Sequence, residues 1–506
     1  MSRSSLKVVA LFMCFAVLFS GCRKQPLPKV ELPISGKLRL DGVTLVDTHD
    51  GKLNLAMSIL MNKGSIVSIT ATGQVSGDPL VPSIDATGRF AIPGFNNMHM
   101  HVIDQADSSS VLARMLADGV TGFRQMTGSP ELLEERRDGT LPIGKDAPVL
   151  LLMPGNLLTP FNAGSTARVA DEIRQQKNQG ADFIKVGLVS PEVFFAAIAE
   201  GTRVGLPVLG HLQEGVDAAQ ASRAGFRSIE HLGPGDSIWI GCSTQGAALL
   251  ADAAQHPAMR APPIKIPAFV ETILMKRLQK RLINPAAFDD AASTTRLQRA
   301  FDTYSEARCR ALAALFVANH TWNVPTLVRL RTQELADWPE YLSDPALPYI
   351  PVESLKAWRE VTDKFHKLPH AMLSTYREAY RRQLALTKLF DDAGVLMMVG
   401  TDGGGQAPGQ SIHQEFDELA KAGLSPFRIL QMTTLNPAEF LGRTATMGSI
   451  DVGKNADIVL LDGNPVESVQ NLHKISGVVR AGFYYSQADL DALRARAKEP
   501  RARPGP

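Results

Sequence analysis

Side chains able to hold a metal ion stand at the ends of strand-like apolar runs that lie far apart in this chain. His99 and His101, in Asn97-Met98-His99-Met100-His101, are two residues apart. On an extended strand that spacing puts both rings on one face, where each could bond the same divalent ion. Lys185 lies inside Phe183-Ile184-Lys185-Val186, where a charged ammonium is costly to bury unpaired. Burial lowers a lysine's pKa and so enriches the neutral amine. A neutral amine can add carbon dioxide, and the two oxygens of the resulting carbamate could bridge two ions. His211 closes Leu209-Gly210-His211 and His231 closes Ile229-Glu230-His231. At the ends of consecutive candidate strands they suit ligands to a second ion. Asp402, in Val399-Gly400-Thr401-Asp402-Gly403-Gly404, is a carboxylate among glycines that let the backbone turn sharply. Taken singly, each residue has a plainer reading: a solvated strand face, an ion-paired lysine, a satisfied core histidine, an Asx turn.

The elements that must position these groups alternate strand and helix. Ser190-Pro191-Glu192 supplies an N-cap and a proline for a first helical position, Val193, Phe194, Ala197 and Ile198 recur at helical spacing, and Gly201 is placed to end the helix. Val208-Leu209 forms the next strand, a helix follows over Val216 to Ala224, Gly225 stops it, and Ser228-Ile229 is a strand again. Such units favour parallel strands joined by right-handed crossovers. Candidate strands end near His101, Arg124, Pro154, Lys185, His211, His231, Pro325 and Asp402, the eight that a (β/α)8 barrel needs. Two stretches, about 236–318 and 328–393, exceed a single barrel helix; Phe269 to Leu282 and Tyr304 to Val317 read as amphipathic helices within them.

Both ends of the chain read differently. Short strands such as Leu38-Arg39-Leu40, Thr44-Leu45-Val46 and Ile66-Val67-Ser68-Ile69 are parted by the turn residues His49-Asp50-Gly51 and Asn62-Lys63-Gly64. Asp457 to Asp462 and Gly477 to Gly482 repeat that style, which suggests one small β-sandwich built from both termini. The Arg/Pro-rich tail within 486–506 reads as disordered.

With 506 residues there is room for a large barrel and a smaller domain, and the 44% apolar and 21% charged content is that of a globular protein. A net charge of +2 leaves no nucleic-acid footprint. Arg3 and Lys7 followed by the apolar run Val8 to Phe19 read as a signal peptide over 1–21. Leu18-Phe19-Ser20-Gly21-Cys22 resembles a bacterial lipoprotein lipobox, although Phe19 departs from it. This implies cleavage before Cys22, lipidation of its thiol, a tether over 22–36 and a membrane-surface anchor in the cell envelope; an ordinary secretory signal is the alternative. Cys242 and Cys309 could pair in an oxidising compartment or remain free buried thiols.

From about Lys37 to Tyr485 the chain resembles the amidohydrolase superfamily, carried by the order HxH, Lys, His, His, Asp of the segments above. Ile92-Pro93-Gly94-Phe95, Thr433-Thr434-Leu435-Asn436-Pro437-Ala438 and Gly448-Ser449-Ile450-Asp451-Val452-Gly453-Lys454-Asn455-Ala456-Asp457 add to it, and the imidazolonepropionase-like and Xaa-Pro dipeptidase-like branch is the nearest. The resemblance implies a TIM-type barrel over 93–445 and a β-sandwich over 37–92 and 446–485. It implies two divalent ions, expected to be zinc, held by His99, His101, a carbamate on Lys185, His211, His231 and Asp402. Asp402 would also be the catalytic proton carrier while a metal-bridging hydroxide cleaves a C–N bond, amide or dipeptide-like, in a small-molecule substrate. Lactone or ester hydrolysis at the same site is the alternative chemistry, and a non-catalytic surface binding lipoprotein the alternative class. The chain departs from its relatives at Met153-Pro154-Gly155-Asn156, where a Gly-Gly-His run is frequent, and at Gln125, where an aspartate is common. Arg124 could meet a substrate anion or form a structural ion pair, and His413 and His320 could support the site or simply pack.

Overall fold

The computed structural model describes residues 36–74, 81–105, 107–255, 281–403 and 411–498. The expected leader, the lipidation site Cys22 and residues 499–506 lie outside the described residues, as do nearly all of the tether and of the helix expected over Phe269 to Leu282.

The chain is mixed α/β. It begins with strands β1 (Leu38–Val46), β2 (Leu53–Asn62), β3 (Ser65–Ala71), β4 (Ser83–Asp85) and β5 (Phe90–Pro93). The middle carries β6 (Phe95–Met100), β7 (Val120–Gln125), β8 (Val149–Leu152), β9 (Ile184–Val186), β10 (Val208–Gly210), β11 (Ser228–Glu230) and β12 (Trp322–Val324), with helices between them. After a run of helices come β13 (Ile458–Leu461), β14 (Ile475–Arg480) and β15 (Phe483–Ser486). Strands from the two ends join in one eight-stranded sheet, ordered β15-β14-β13-β5-β1-β2-β3 with β4 against β1. Leu38 and Leu40 and, after a register shift, Val43 and Leu45 of β1 are buried with Ile59, Met61, Ile458 and Leu460 in a core of its own. The β2–β3 hairpin turns through Lys63 and Gly64, both at positive φ, as a two-residue turn matched to the strand twist requires.

The middle strands pair in parallel as β6-β7-β8 and as β12-β11-β10-β9. Further backbone pairings join these groups. Leu158 bridges to Val186 of β9, Asn323 of β12 to Met397, and Met100 of β6 to Gly403. Leu396–Gly403 therefore runs between β12 and β6, with Met98 donating to the Val399 carbonyl at 2.8 Å and Asn323 to that of Leu396 at 2.9 Å. The main core fills the space between these strands and the surrounding helices, with Ile184, Val208, Ile229 and Val399 among its buried members.

Several expectations are revised by packing. The helix after β9 runs Pro191–Val204, capped by Ser190, and ends on Gly205 at φ 68°, one turn later than expected. Gly201 is inside it because a Cβ there would meet Val208 at 2.4 Å, so its role is close helix–strand approach. The helix expected over Val216 to Ala224 is shorter, Ala218–Arg223, because the Asp217 carboxylate caps it by accepting from Ala219 and Gln220. Glu306–Ala318, capped by Ser305, fills the place expected for Tyr304 to Val317. The disordered tail expected over 486–506 is corrected in its described part: Gln487–Ala497 is a helix with a reciprocal Ser486–Asp489 capping box. Its Leu490 and Leu493 are fully buried, and Arg494 reaches Asp118 at 3.3 Å, so an apolar stripe outweighs the charged composition. Cys242 and Cys309 are disulfide-bonded and fully buried, joining Ser237–Cys242 to Glu306–Ala318. No helix among the described residues is long and apolar enough to cross a membrane.

Candidate metal centre

The ends of β6, β9, β10 and β11 and the segment after Val399 meet at one place. His99, on β6, is fully buried, and its Nε2 lies 3.0 Å from Asp402 Oδ1 without forming a hydrogen bond. His101 Nε2 is also 3.0 Å from Oδ1. His231 follows β11 and points Nε2 to within 4.0 Å of Asp402 Oδ2. His99, His231 and Asp402 offer ligand atoms all within 4.8 Å of one another, a grouping that could hold a divalent ion. The His211 ring stands 5.1 Å from that of His231, outside this closest group. Lys185, on β9 beside Leu209 of β10, is buried, and its Nζ has no hydrogen-bond partner.

Each of three imidazoles is held from behind by an oxygen. His99 Nδ1 lies 2.6 Å from Glu230 Oε2, His101 Nδ1 3.1 Å from Thr127 Oγ1, and His231 Nδ1 2.6 Å from Thr326 Oγ1. A carboxylate can only accept, so His99 carries its proton on Nδ1 and turns the Nε2 lone pair towards Asp402. Histidines that bind metals are characteristically oriented in this way.

Charge is layered behind the site. Glu230, fully buried, accepts from Arg124 Nη2 at 2.8 Å and from Ser228 Oγ at 2.9 Å as well as from His99. Burial pushes the Glu230 carboxyl up, but Arg124, His99 and Lys185 outweigh it and hold the group well below the usual carboxylate range. Arg124 Nε also donates to the Met98 carbonyl at 2.6 Å. Of the two readings of Arg124, the ion pair is the one observed. Burial likewise depresses His211 and His231 well below the ordinary imidazole value, with Lys185 adding to it. Both rings are therefore neutral and available as ligands. Lys185 is pushed down to about 8 by burial, against the pull of the Glu230 and Asp402 carboxylates. The orphaned His99 Nε2, turned to a carboxylate with the His231 ring beside it, fits a site for a cation.

Arg329 was not foreseen from the sequence. Its Nε forms an ion pair with Asp402 Oδ2 at 2.9 Å, on the side away from His101. Glu230, Thr127 and Thr326 were also missed as supports; a lone acid directly before His231 in an apolar strand was the one visible signal. Gln125 holds the loop after β6, its oxygen accepting from Val102 at 3.0 Å and Ile103 at 3.3 Å. His413 packs against Phe95, Phe416 and His473, where burial lowers it to about 4, and His320 is exposed; neither has a contact with the site.

Residues 367–483 match the amidohydrolase family. An imidazolonepropionase from Shouchella clausii (strain KSM-K16) is 31% identical over 99 residues, 18% of this chain. That alignment spans 22% of the length of the enzyme. Among solved structures, a bottromycin amidohydrolase is similar with a TM-score of 0.63 and 21% identity, covering 91% of this chain and 89% of its own. A Xaa-Pro dipeptidase with bound methionine in its active site superposes with a TM-score of 0.58 at 18% identity, over 89% of this chain and all of its own. These likenesses establish the shared fold.

Proposed function

We propose that this chain is a metal-dependent hydrolase of the amidohydrolase type that cleaves a C–N bond, amide or dipeptide-like, in a small-molecule substrate. The observation that carries the reading is the arrangement of His99, His101 and His231. Each ring is held at Nδ1 by an oxygen and turned with Nε2 towards one carboxylate, Asp402. A lone structural carboxylate would not gather three rings in that orientation. The pairings of Leu158 with Val186, Asn323 with Met397 and Met100 with Gly403 support a closed (β/α)8 barrel, with the site at the mouth where strands end. The sheet from both termini is read as the smaller β-sandwich domain.

Two divalent ions, expected to be zinc, would be held by His99, His101, His211, His231, Asp402 and a carbamate on Lys185. Bound there, they would supply a hydroxide nucleophile at neutral pH and polarise the scissile carbonyl. The chain's own residues do the rest. Lys185, lowered to about 8, keeps a share of neutral amine able to add carbon dioxide, and carbamate formation removes the unpaired ammonium from the interior. Asp402 carries the proton from the attacking water to the leaving nitrogen. Glu230 and Thr326 fix the rings, and Arg124 neutralises Glu230 beneath them.

The disulfide between Cys242 and Cys309 supports an oxidising compartment, and with it the reading of residues 1–21 as an export signal, Cys22 as the lipidated anchor and the cell envelope as location. Elemental analysis joined to a turnover screen over dipeptides and lactones tests the whole. Two ions per chain with dipeptide cleavage is the expected result. Lactone turnover alone would establish the ester chemistry, and metal-free protein without turnover would remove the enzyme reading.

A further inference from the structure

Three residues of the site, His231, Thr326 and Asp402, hold left-handed backbone at φ 57°, 46° and 52°. For residues other than glycine this conformation costs on the order of 1–3 kcal/mol each and persists only where the surroundings impose it. Thr326 is the most demanding, because a β-branched side chain suits that region least. It stands between β12 and the helix Leu327–Glu334. What imposes it is visible. Glu415, fully buried in the helix Ile412–Lys421, spreads its two oxygens over the first amides of the following helix, accepting from Leu327 at 3.0 Å and Val328 at 2.8 Å.

The segment held in this way touches the site twice. Thr326 Oγ1 faces His231 Nδ1 at 2.6 Å, and one turn on Arg329 Nε faces Asp402 Oδ2 at 2.9 Å. The two end nitrogens of Arg329 each have a backbone partner. Nη1 donates to the Ile283 carbonyl at 2.7 Å and Nη2 to that of Leu282, both in the long stretch before β12. A guanidinium whose two end nitrogens are each held by a backbone carbonyl is a braced strut, poorly suited to swinging out to capture a substrate carboxylate.

We propose that Thr326–Arg329, clamped by Glu415, is a positioning device for the site, in which Thr326 sets the His231 ring and Arg329 sets the Asp402 carboxylate. The inference rests on the metal-site reading above and assigns residues that the ligand pattern does not contain. Asp402 then presents Oδ1 to His99 and His101 while Oδ2 is braced from behind. Arg329 thereby ties the carbonyls of Leu282 and Ile283 to Asp402.

The test measures metal affinity by chelator competition as well as turnover. Thr326→Val keeps the shape and the β-branch but removes the hydroxyl, and should weaken metal binding about 10-fold or more. Thr326→Ser restores the hydroxyl and should return affinity to within about 3-fold of the starting protein. Arg329→Gln should lower kcat about 100-fold with KM changed little, because the substrate still binds while Asp402 is misplaced. Unaltered metal affinity in Thr326→Val would overturn the clamp while leaving the hydrolase reading intact. A rise in KM confined to substrates with a free carboxylate in Arg329→Gln would make Arg329 a substrate-binding residue and equally overturn its positioning role. Should Thr326→Val fail to fold, as seen by circular dichroism, the Arg329→Gln split between kcat and KM decides alone. A parent protein that binds no divalent ion would overturn both readings together.

Discussion

Replacing Glu230 by glutamine changes a single atom type at the centre of the buried charge layer, and its consequences follow from which atom faces what. Oε1 of Glu230 receives Arg124 Nη2 and Ser228 Oγ, while Oε2 receives His99 Nδ1. A glutamine has one oxygen. Turning it towards Arg124 and Ser228 keeps two hydrogen bonds and puts the amide NH2 against His99 Nδ1. The ring must then carry its proton on Nε2, the atom that faces Asp402, and it ceases to be a ligand on that side. The opposite orientation drives an amide NH2 into the guanidinium and is worse.

Two magnitudes follow. Removing an oriented support from a metal-binding histidine typically costs 10- to 100-fold in affinity, about 1.4–2.8 kcal/mol. Arg124 is also left as a buried cation facing a neutral partner, and breaking such a pair costs about 3–5 kcal/mol of stability. Urea unfolding of metal-free Glu230→Gln should register the second, and chelator competition on folded protein the first. Adding Arg124→Met should recover part of the stability, since the orphaned cation goes too, but none of the metal affinity, since His99 keeps the wrong tautomer. Parent-like metal affinity in well-folded Glu230→Gln would refute the tautomer argument. A double variant whose losses simply add would refute the pairing argument.

Lys185→Ala should lose both bound metal and turnover if the lysine bridges two ions, and a short carboxylic acid added from solution should restore part of each; unchanged metal content in folded protein would remove the bridge. Asp402→Asn should retain part of the metal yet lose nearly all turnover on an amide substrate, because the amide offers an oxygen but carries no proton; near-parent rates would take Asp402 out of the proton path. Cys309→Ser should lower the stability of oxidised protein by about 2–4 kcal/mol in urea unfolding and leave reduced protein unaffected, the disulfide closing a 67-residue separation; equal midpoints with and without reductant would mean the bond is not formed in solution.

The sequence makes part of this site legible because strand ends carry a simple rule. Polar side chains that close apolar runs converge when the strands lie side by side, so His99, His101, His211, His231 and Asp402 could be picked out with no knowledge of distance. The parallel middle and the sheet shared by both ends followed from alternation and turn residues in the same way. The tail helix was missed for a different reason: its arginines and prolines dominated the composition, while Leu490 and Leu493, three apart on one face, were the informative pair.

The supports of the site obey no such rule. Glu230 acts on His99 across 131 residues of chain and Thr326 on His231 across 95, so neither spacing carries a pattern. Thr326 is harder still, since a β-branched residue gives no warning of left-handed backbone. Its conformation follows from Glu415, on a helix that forms much later in the chain. Ligand types are dictated by the chemistry of the ion and recur as residue identities. Their orientation needs only an oxygen in the right place, which serine, threonine, glutamate or a carbonyl can each supply. A site of this kind therefore displays its ligands in the sequence and keeps its alignment in the fold, and the residues that set tautomer and angle must be read from packing.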